Sequence, residues 1–363
     1  MAGKKERGVI KGAVPFAVIL LLAAFGCLPK AKKPAETVEQ KSYPLRLFGY
    51  KAEYKVNTGV AQLEEFLRDP KNLVITAGFA KIEWAAQGKW EKVGDDVPYN
   101  LSVLGVAFAG KLTMVAHTAG EEMIFIGQAE RYGAIMVLRF RFKPLGDATV
   151  VAIRFELEPG KGLVETVGQT VNVAEMMGKA IDAGWAQIQC RFDPSLRTEE
   201  LLQEGYRGSL YDIFYQAHEG SIWIGAPARK VEKILTDPGT WRSLEQEYGA
   251  DAAQCFMPRD QGACNFSLKI LGFDFPMTSF PGVTRPGEYS SIYTVSSQGL
   301  SRMETFLSPD QGGTRVIIRL TYAPQMTGVF SQEAANLAII LMQLPKIIEQ
   351  VLLNAKIVVE GVG

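Results

Sequence analysis

Two stretches of this 363-residue chain read as copies of each other, and that repetition limits the fold more than any other feature. Pro144 to Glu156, PLGDATVVAIRFE, and Pro309 to Tyr322, PDQGGTRVIIRLTY, share a proline, a Gly-containing turn and a threonine. A strand follows in which Thr149, Val151, Ile153 and Arg154 stand in register with Thr314, Val316, Ile318 and Arg319. A second pair, Val60 to Pro70 (VAQLEEFLRDP) and Ala228 to Pro238 (ARKVEKILTDP), repeats the offset from Thr149 to Thr314 to within three positions. Each puts apolar residues on one helical face, Leu63, Phe66 and Leu67 in one and Val231, Ile234 and Leu235 in the other, and each stops at Asp-Pro. Two matches in the same order at nearly one period are what tandem duplication with a small indel leaves.

The length suits two domains of ordinary size, each with its own core. A composition of 47% hydrophobic and 21% charged residues is that of a globular protein. The 39 basic and 39 acidic side chains cancel, which removes the electrostatic basis for nucleic-acid binding. Met1 to Gly26 hold four basic and one acidic side chain, so the remainder carries a net −3 and its totals indicate no strongly basic membrane-binding face.

Period-two alternation predicts an antiparallel sheet in each copy. In the first copy, residues 44–192, strands are expected at 45–56, 112–117, 123–128, 135–143 and 149–158, with a closing helix over 171–190. In LRFRFK, Leu138, Phe140 and Phe142 face one way and Arg139, Arg141 and Lys143 the other, which predicts one wet face. Residues 193–217 read as a connector, helical in part, whose Tyr211, Phe214 and Tyr215 either decorate it or wedge between the copies. The second copy, residues 218–361, repeats the plan and ends in a helix carrying the apolar run LAIILMQL. Pro345 is expected to kink or break that helix.

The N-terminus reads as a targeting segment. Lys4, Lys5, Arg7 and Lys11 precede an apolar stretch, Ala13 to Phe25, that is short for a membrane span, and Gly26-Cys27 follows. This resembles the lipobox of bacterial lipoproteins, with Ala24 and Phe25 departing from the usual pattern. The resemblance implies a signal peptide over 1–26, acylation at Cys27, a polar tether over 27–43 and a periplasm-facing protein on the inner or outer membrane. An uncleaved anchor and a plain signal peptide are the alternatives.

Strand, short helix, antiparallel sheet and closing helix, with SIWIGAPARKVEKILTDPGTW and its Asp237, Pro238 and Trp241, resemble the START-like superfamily, also called SRPBCC or Bet v 1-like. The resemblance implies an α+β fold of two tandem helix-grip domains, each a curved antiparallel sheet wrapped around a long C-terminal helix. It also implies a cavity between sheet and helix. At about 24 cal/mol per Å³, a dry void of roughly 500 Å³ would cost about 10 kcal/mol, so such a cavity is filled or it collapses. Phe273, Phe275, Met277, Leu341, Met342, Ile348 and Leu352 are the candidate lining residues, although side chains of these types more often simply fill a core. The first copy departs from the pattern at Gly59 and Leu73, where the second has Pro227 and Trp241.

No catalytic or metal-binding spacing accompanies the fold signal. His117 has no Cys, Asp or Glu at ligand spacing, His218 sits beside Glu219 in the connector region, and neither a phosphate loop nor a nucleophile elbow is present. No cofactor and no metal are expected. Cys255 and Cys264 flank FMPRDQGA, a hairpin pattern that sets them opposite each other, and in an exported protein this permits a disulfide. Cys190 is then left free. The expected function is envelope-anchored binding or transport of a hydrophobic small molecule. The rivals are a cyclase- or aromatase-like enzyme on the same fold and an interaction module with a filled core. Replacing the acylated cysteine, Cys27→Ala, should abolish lipidation and move the protein from the membrane to the soluble fraction; a variant that sediments as firmly as the original contradicts the anchor.

Overall fold

Alternating sequence becomes strand after strand, and every strand pair is antiparallel. The computed structural model describes residues 37–73, 76–77, 80–84, 88–103, 106–129, 135–158, 173–203, 208–237, 263–270, 273–296, 299–324 and 332–361. The first half contains β1 (Glu39–Val56), α1 (Val60–Leu67), β2 (Thr76–Ala77), β3 (Ala80–Trp84), β4 (Asp96–Val103), β5 (Val106–Thr118), β6 (Glu122–Ala129), β7 (Ile135–Leu145), β8 (Ala148–Glu158) and α2 (Val173–Phe192). A short α3 (Thr198–Gln203) follows. The second half contains β9 (Ser209–Ile224), α4 (Ala228–Leu235), β10 (Cys264–Ile270), β11 (Phe273–Arg285), β12 (Tyr289–Ser296), β13 (Gly299–Asp310), β14 (Gly313–Pro324) and α5 (Gln332–Glu360). Among the described residues no helix is long and apolar enough to cross a membrane.

The fourteen strands form one sheet in the order β10-β11-β12-β13-β14-β9-β1-β8-β7-β6-β5-β4-β3-β2. Each half therefore has a helix-grip-like order: strand, short helix, meander, and a closing helix laid on one face. The apolar face of α2, with Met177, Ile181, Trp185 and Ile188, packs on Tyr54, Ile153 and Phe140. The end of α5, with Ile348, Val351, Leu352 and Ala355, packs on Ile222, Ile318 and Leu320.

Four hydrogen bonds recur in both halves, between partners related by the offset of the sequence repeat. Thr149 donates its hydroxyl to the Thr58 carbonyl and Thr314 to that of Ala226, each at 2.7 Å. The Gly120 N–H donates to Glu64 at 2.9 Å and the Gly287 N–H to Glu232 at 2.8 Å, which ties each short helix to a hairpin. Both glycines stand at φ +79°, a turn conformation that Gly adopts without a Cβ penalty. From the closing helices, Gln189 donates to the Lys55 carbonyl and Lys356 to that of Trp223, each at 2.8 Å. The Phe142 N–H donates to the Glu121 carbonyl and the Leu307 N–H to that of Glu288, each at 2.8 Å.

The sheet face away from the helices is less wet than the alternation suggests. Ile124 and Ile126 of β6 and Ile135 and Val137 of β7 are buried against Phe280 and Tyr293 of the second half. Arg141 and Lys143 stay exposed, while Arg139 is half-buried. Gln128 crosses between the halves, accepting from the Val283 N–H at 2.7 Å and donating to Ser291 at 3.1 Å. Beside it Glu158 meets Arg302, and Arg319 lies 3.7 Å from Glu158 and 2.6 Å from Glu304. Burial opposes the charge on Glu304, but Arg302 and Arg319 outweigh it and hold the carboxyl below its usual range.

Other expectations need correction. Glu39 to Tyr43, read as tether, open β1, and Ser209 to Ala217, read as connector, open β9. Their polar side chains find partners across the ladder, Lys41 with Glu219 at 2.6 Å and Ser42 with His218 at 2.7 Å, so no apolar alternation is needed there. Tyr211 and Tyr215 lie on that strand, where Tyr215 packs on Leu47 and donates to Glu156. Helix α5 continues through Pro345, whose carbonyl accepts from Gln40 at 3.0 Å. The missing backbone donor is tolerated because the next two turns bury Ile348, Val351 and Leu352. Residues 1–36, including Cys27, and Pro238, Trp241 and Cys255 lie outside the described residues. If the duplicated threonine bond closes both halves, Thr149→Val and Thr314→Val should each lower unfolding free energy by about 1–3 kcal/mol in chemical denaturation, because each strands a buried carbonyl. An unchanged midpoint in either variant contradicts it.

Candidate functional site

The first half holds a partly open apolar cavity of about 100 Å³ between its sheet and α2. Its wall on the sheet side comes from alternate residues of four strands, Ile82 and Trp84 of β3, Tyr99 and Leu101 of β4, Leu112 of β5, and, beyond β6, Met136, Leu138 and Phe140 of β7. Phe155 of β8 and Leu73 complete that side, and Met177, Ile181, Gly184, Trp185 and Ile188 of α2 cover it. Strand periodicity sends these side chains to one face, and the helical i, i+4, i+7, i+8 spacing of Met177, Ile181, Gly184 and Trp185 presents the other.

The wall is stiff because its aromatic rings hold one another. Trp84 meets Trp90 edge-on at 5.5 Å, Trp90 meets Phe125 at 4.9 Å, and Phe140 meets Trp185 at 5.7 Å. The indole N–H groups of Trp84 and Trp90 donate to the Leu73 and Leu112 carbonyls at 3.1 and 3.0 Å. Rings fixed in this way cannot collapse into the gap.

Next to the cavity, Tyr50 and Tyr54 of β1 both donate to Asp182 of α2, Tyr50 at 2.5 Å. Tyr54 stacks on Trp185 at 5.3 Å with the rings 8° from parallel. Burial, and then the hydrogen bond to Asp182, push both phenols well above the ordinary tyrosine range, so at neutral pH they act as donors.

Of the residues singled out in sequence, Met277, Ile348 and Leu352 meet in the helix-covered core of the second half. Phe273 and Phe275 lie on β11 and Leu341 and Met342 on α5, with side chains outside the described residues. Cys264 is disulfide-bonded, and Cys190 is free. His117 lies 3.5 Å from Glu64, distant in sequence, which α1 brings to it. His218 is on β9, and burial holds its imidazole below the usual pKa. Among the described residues no group of three or more His, Cys, Asp or Glu side chains is placed to hold a metal. The cavity residues of β3 and β4 were missed in sequence, although Val97, Tyr99, Leu101 and Val103 alternate cleanly, because Pro98 interrupts the strand signal.

No family model matches the chain, and no curated protein matches it. Among solved structures the chain is similar to the di-domain ARO/CYC StfQ from the steffimycin biosynthetic pathway, at 11% identity over 86% of this chain and 98% of that one, with a TM-score of 0.31. The di-domain ARO/CYC BexL aligns at 10% identity over 85% and 97%, with a TM-score of 0.31. A protein from Chromobacterium violaceum aligns at 12% identity over 40% of this chain and 97% of its own, with a TM-score of 0.32. At these values the site is read from its own residues. Gly184→Leu should fill the cavity with a side chain of about the right volume and raise the thermal midpoint, since it removes a void and a helix glycine together; a lowered midpoint contradicts the cavity.

Proposed function

We propose that the protein binds an apolar small molecule in the cavity of its first half and holds it at a membrane of the cell envelope, carrying or sequestering it. The observation that supports this is the lining: aliphatic, thioether and aromatic carbon, with the phenol of Tyr99 and indole N–H groups as its polar exceptions. An enzyme that positions a substrate by polar contacts needs several such groups aimed inward, and a filled interaction module needs no cavity. Binding without chemistry fits this lining best.

The size of the cavity bears on the ligand. Ligand pockets usually span roughly 300–1,000 Å³, whereas a cavity of about 150 Å³ holds benzene. This one therefore takes a small apolar group or the end of a longer chain. Met136 and Met177 are the unbranched wall side chains able to yield to more.

The anchor belongs to the same proposal. Its support is the Gly26-Cys27 pattern behind a basic and apolar N-terminus, and multiple acyl chains at about 0.8 kcal/mol per buried methylene would retain the protein on a bilayer. Membership of the START-like superfamily is likewise proposed, on the helix-grip-like order in each half and the residues around Asp237. Calorimetric titration of the full chain with 1-hexanol should show one saturable site, absent in Gly184→Leu. Non-saturable uptake, or equal binding by the filled variant, overturns the reading.

A further inference from the structure

Asp182 is a buried acid that pairs with no cation among the described residues. It is 6% exposed, and its two hydrogen bonds come from Tyr50 and Tyr54 and both end on Oδ1. Among the described residues Oδ2 accepts no hydrogen bond, and no Lys, Arg or His pairs with the group. Phenols that stay protonated can donate to an anion but cannot neutralise it. An uncompensated buried charge is among the costliest features of a protein core, and its presence points to a use for it.

The position of Asp182 suggests that use. It lies on α2 between Ile181 and Gly184, both of which line the cavity, and its partner Tyr54 stacks on Trp185, which lines it too. Trp185 thus belongs to cavity and cluster alike. The equivalent positions of the second half carry nothing similar. Counting by the offsets of the shared hydrogen bonds, Tyr50, Tyr54 and Asp182 correspond to His218, Ile222 and Glu349, and Glu349 is exposed. The buried acid thus belongs to the half whose cavity is described.

We propose that the molecule held by the first half is an amphiphilic amine, its apolar part in the cavity and its ammonium group at Asp182 Oδ2. An ammonium supplies both missing elements, a positive charge and an N–H donor. A hydroxyl supplies the donor but leaves the charge, and a carboxylate adds repulsion. The inference rests on the cavity being an apolar ligand site and narrows what it takes.

Three probes of equal chain length separate the two statements. By calorimetric titration of the full chain, hexylamine should bind at least tenfold more tightly than 1-hexanol, and hexanoate at least tenfold more weakly than 1-hexanol. In Asp182→Asn, which keeps the shape and an acceptor for the phenols, hexylamine and 1-hexanol should bind alike while affinity for 1-hexanol is retained. Binding of 1-hexanol with no preference for hexylamine overturns this inference and leaves the apolar site standing; absence of binding by all three overturns both. A preference for hexylamine that survives in Asp182→Asn also overturns it. The comparison of probes in the unaltered protein decides the matter even if the variant does not fold.

Discussion

The pairing of β1 with β9 is the constraint on which the rest depends. Thirteen consecutive residues, Glu39 to Lys51, run antiparallel to Ser221 to Ser209, so the first strand of each half is also the seam between the halves. Without that ladder both would be open edges, presenting rows of unpaired backbone groups. Cross-strand pairs reinforce it: Gly49 faces Tyr211, and a Cβ at Gly49 would stand 2.6 Å from that ring, so the aromatic side chain occupies the space the glycine leaves. The same β1 pairs with β8 on its other side and offers Tyr50 and Tyr54 to α2. Seam and site share one strand, and the orientation of that strand sets both.

Duplication explains the shared plan, and divergence shows in how each closing helix meets its sheet. In the second half α5 approaches β9 closely: a Cβ at Gly220 would lie 2.4 Å from Ile348, so the helix side chain rests on bare backbone. The first half has Ala52 at the corresponding place, and Trp185 where the second half has Leu352. Larger and stiffer side chains hold α2 away from a wall of fixed rings, and the space between them stays open. In the second half Ile348, Leu352, Met277 and Phe266 pack into a common cluster.

Much of this was legible in the sequence. The threonine shared by the two repeats makes the same buried hydrogen bond in each half, and the alternation in LRFRFK sets apart the face on which Leu138 and Phe140 lie, although the sequence did not mark that face as a cavity wall. What escaped reading has physical causes. Strands β4 and β11 contain Pro98, Pro276 and Pro281, residues that ordinarily argue against a paired strand, and β11 accommodates Pro281 at a register shift. The candidate lining was sought in the second half because LAIILMQL is the most apolar run after the N-terminal segment, and its side chains lie outside the described residues. Contacts such as Tyr50 with Asp182, far apart in the chain, depend on the packing of a helix over a strand, and no local pattern announces them.

The central claim is that the first half of this duplicated chain keeps an apolar site between its sheet and α2. Native mass spectrometry of the protein released gently from membranes tests it most directly. The account predicts a small apolar molecule bound to the chain and lost in Gly184→Leu. No bound molecule, or the same occupancy in Gly184→Leu, would contradict it.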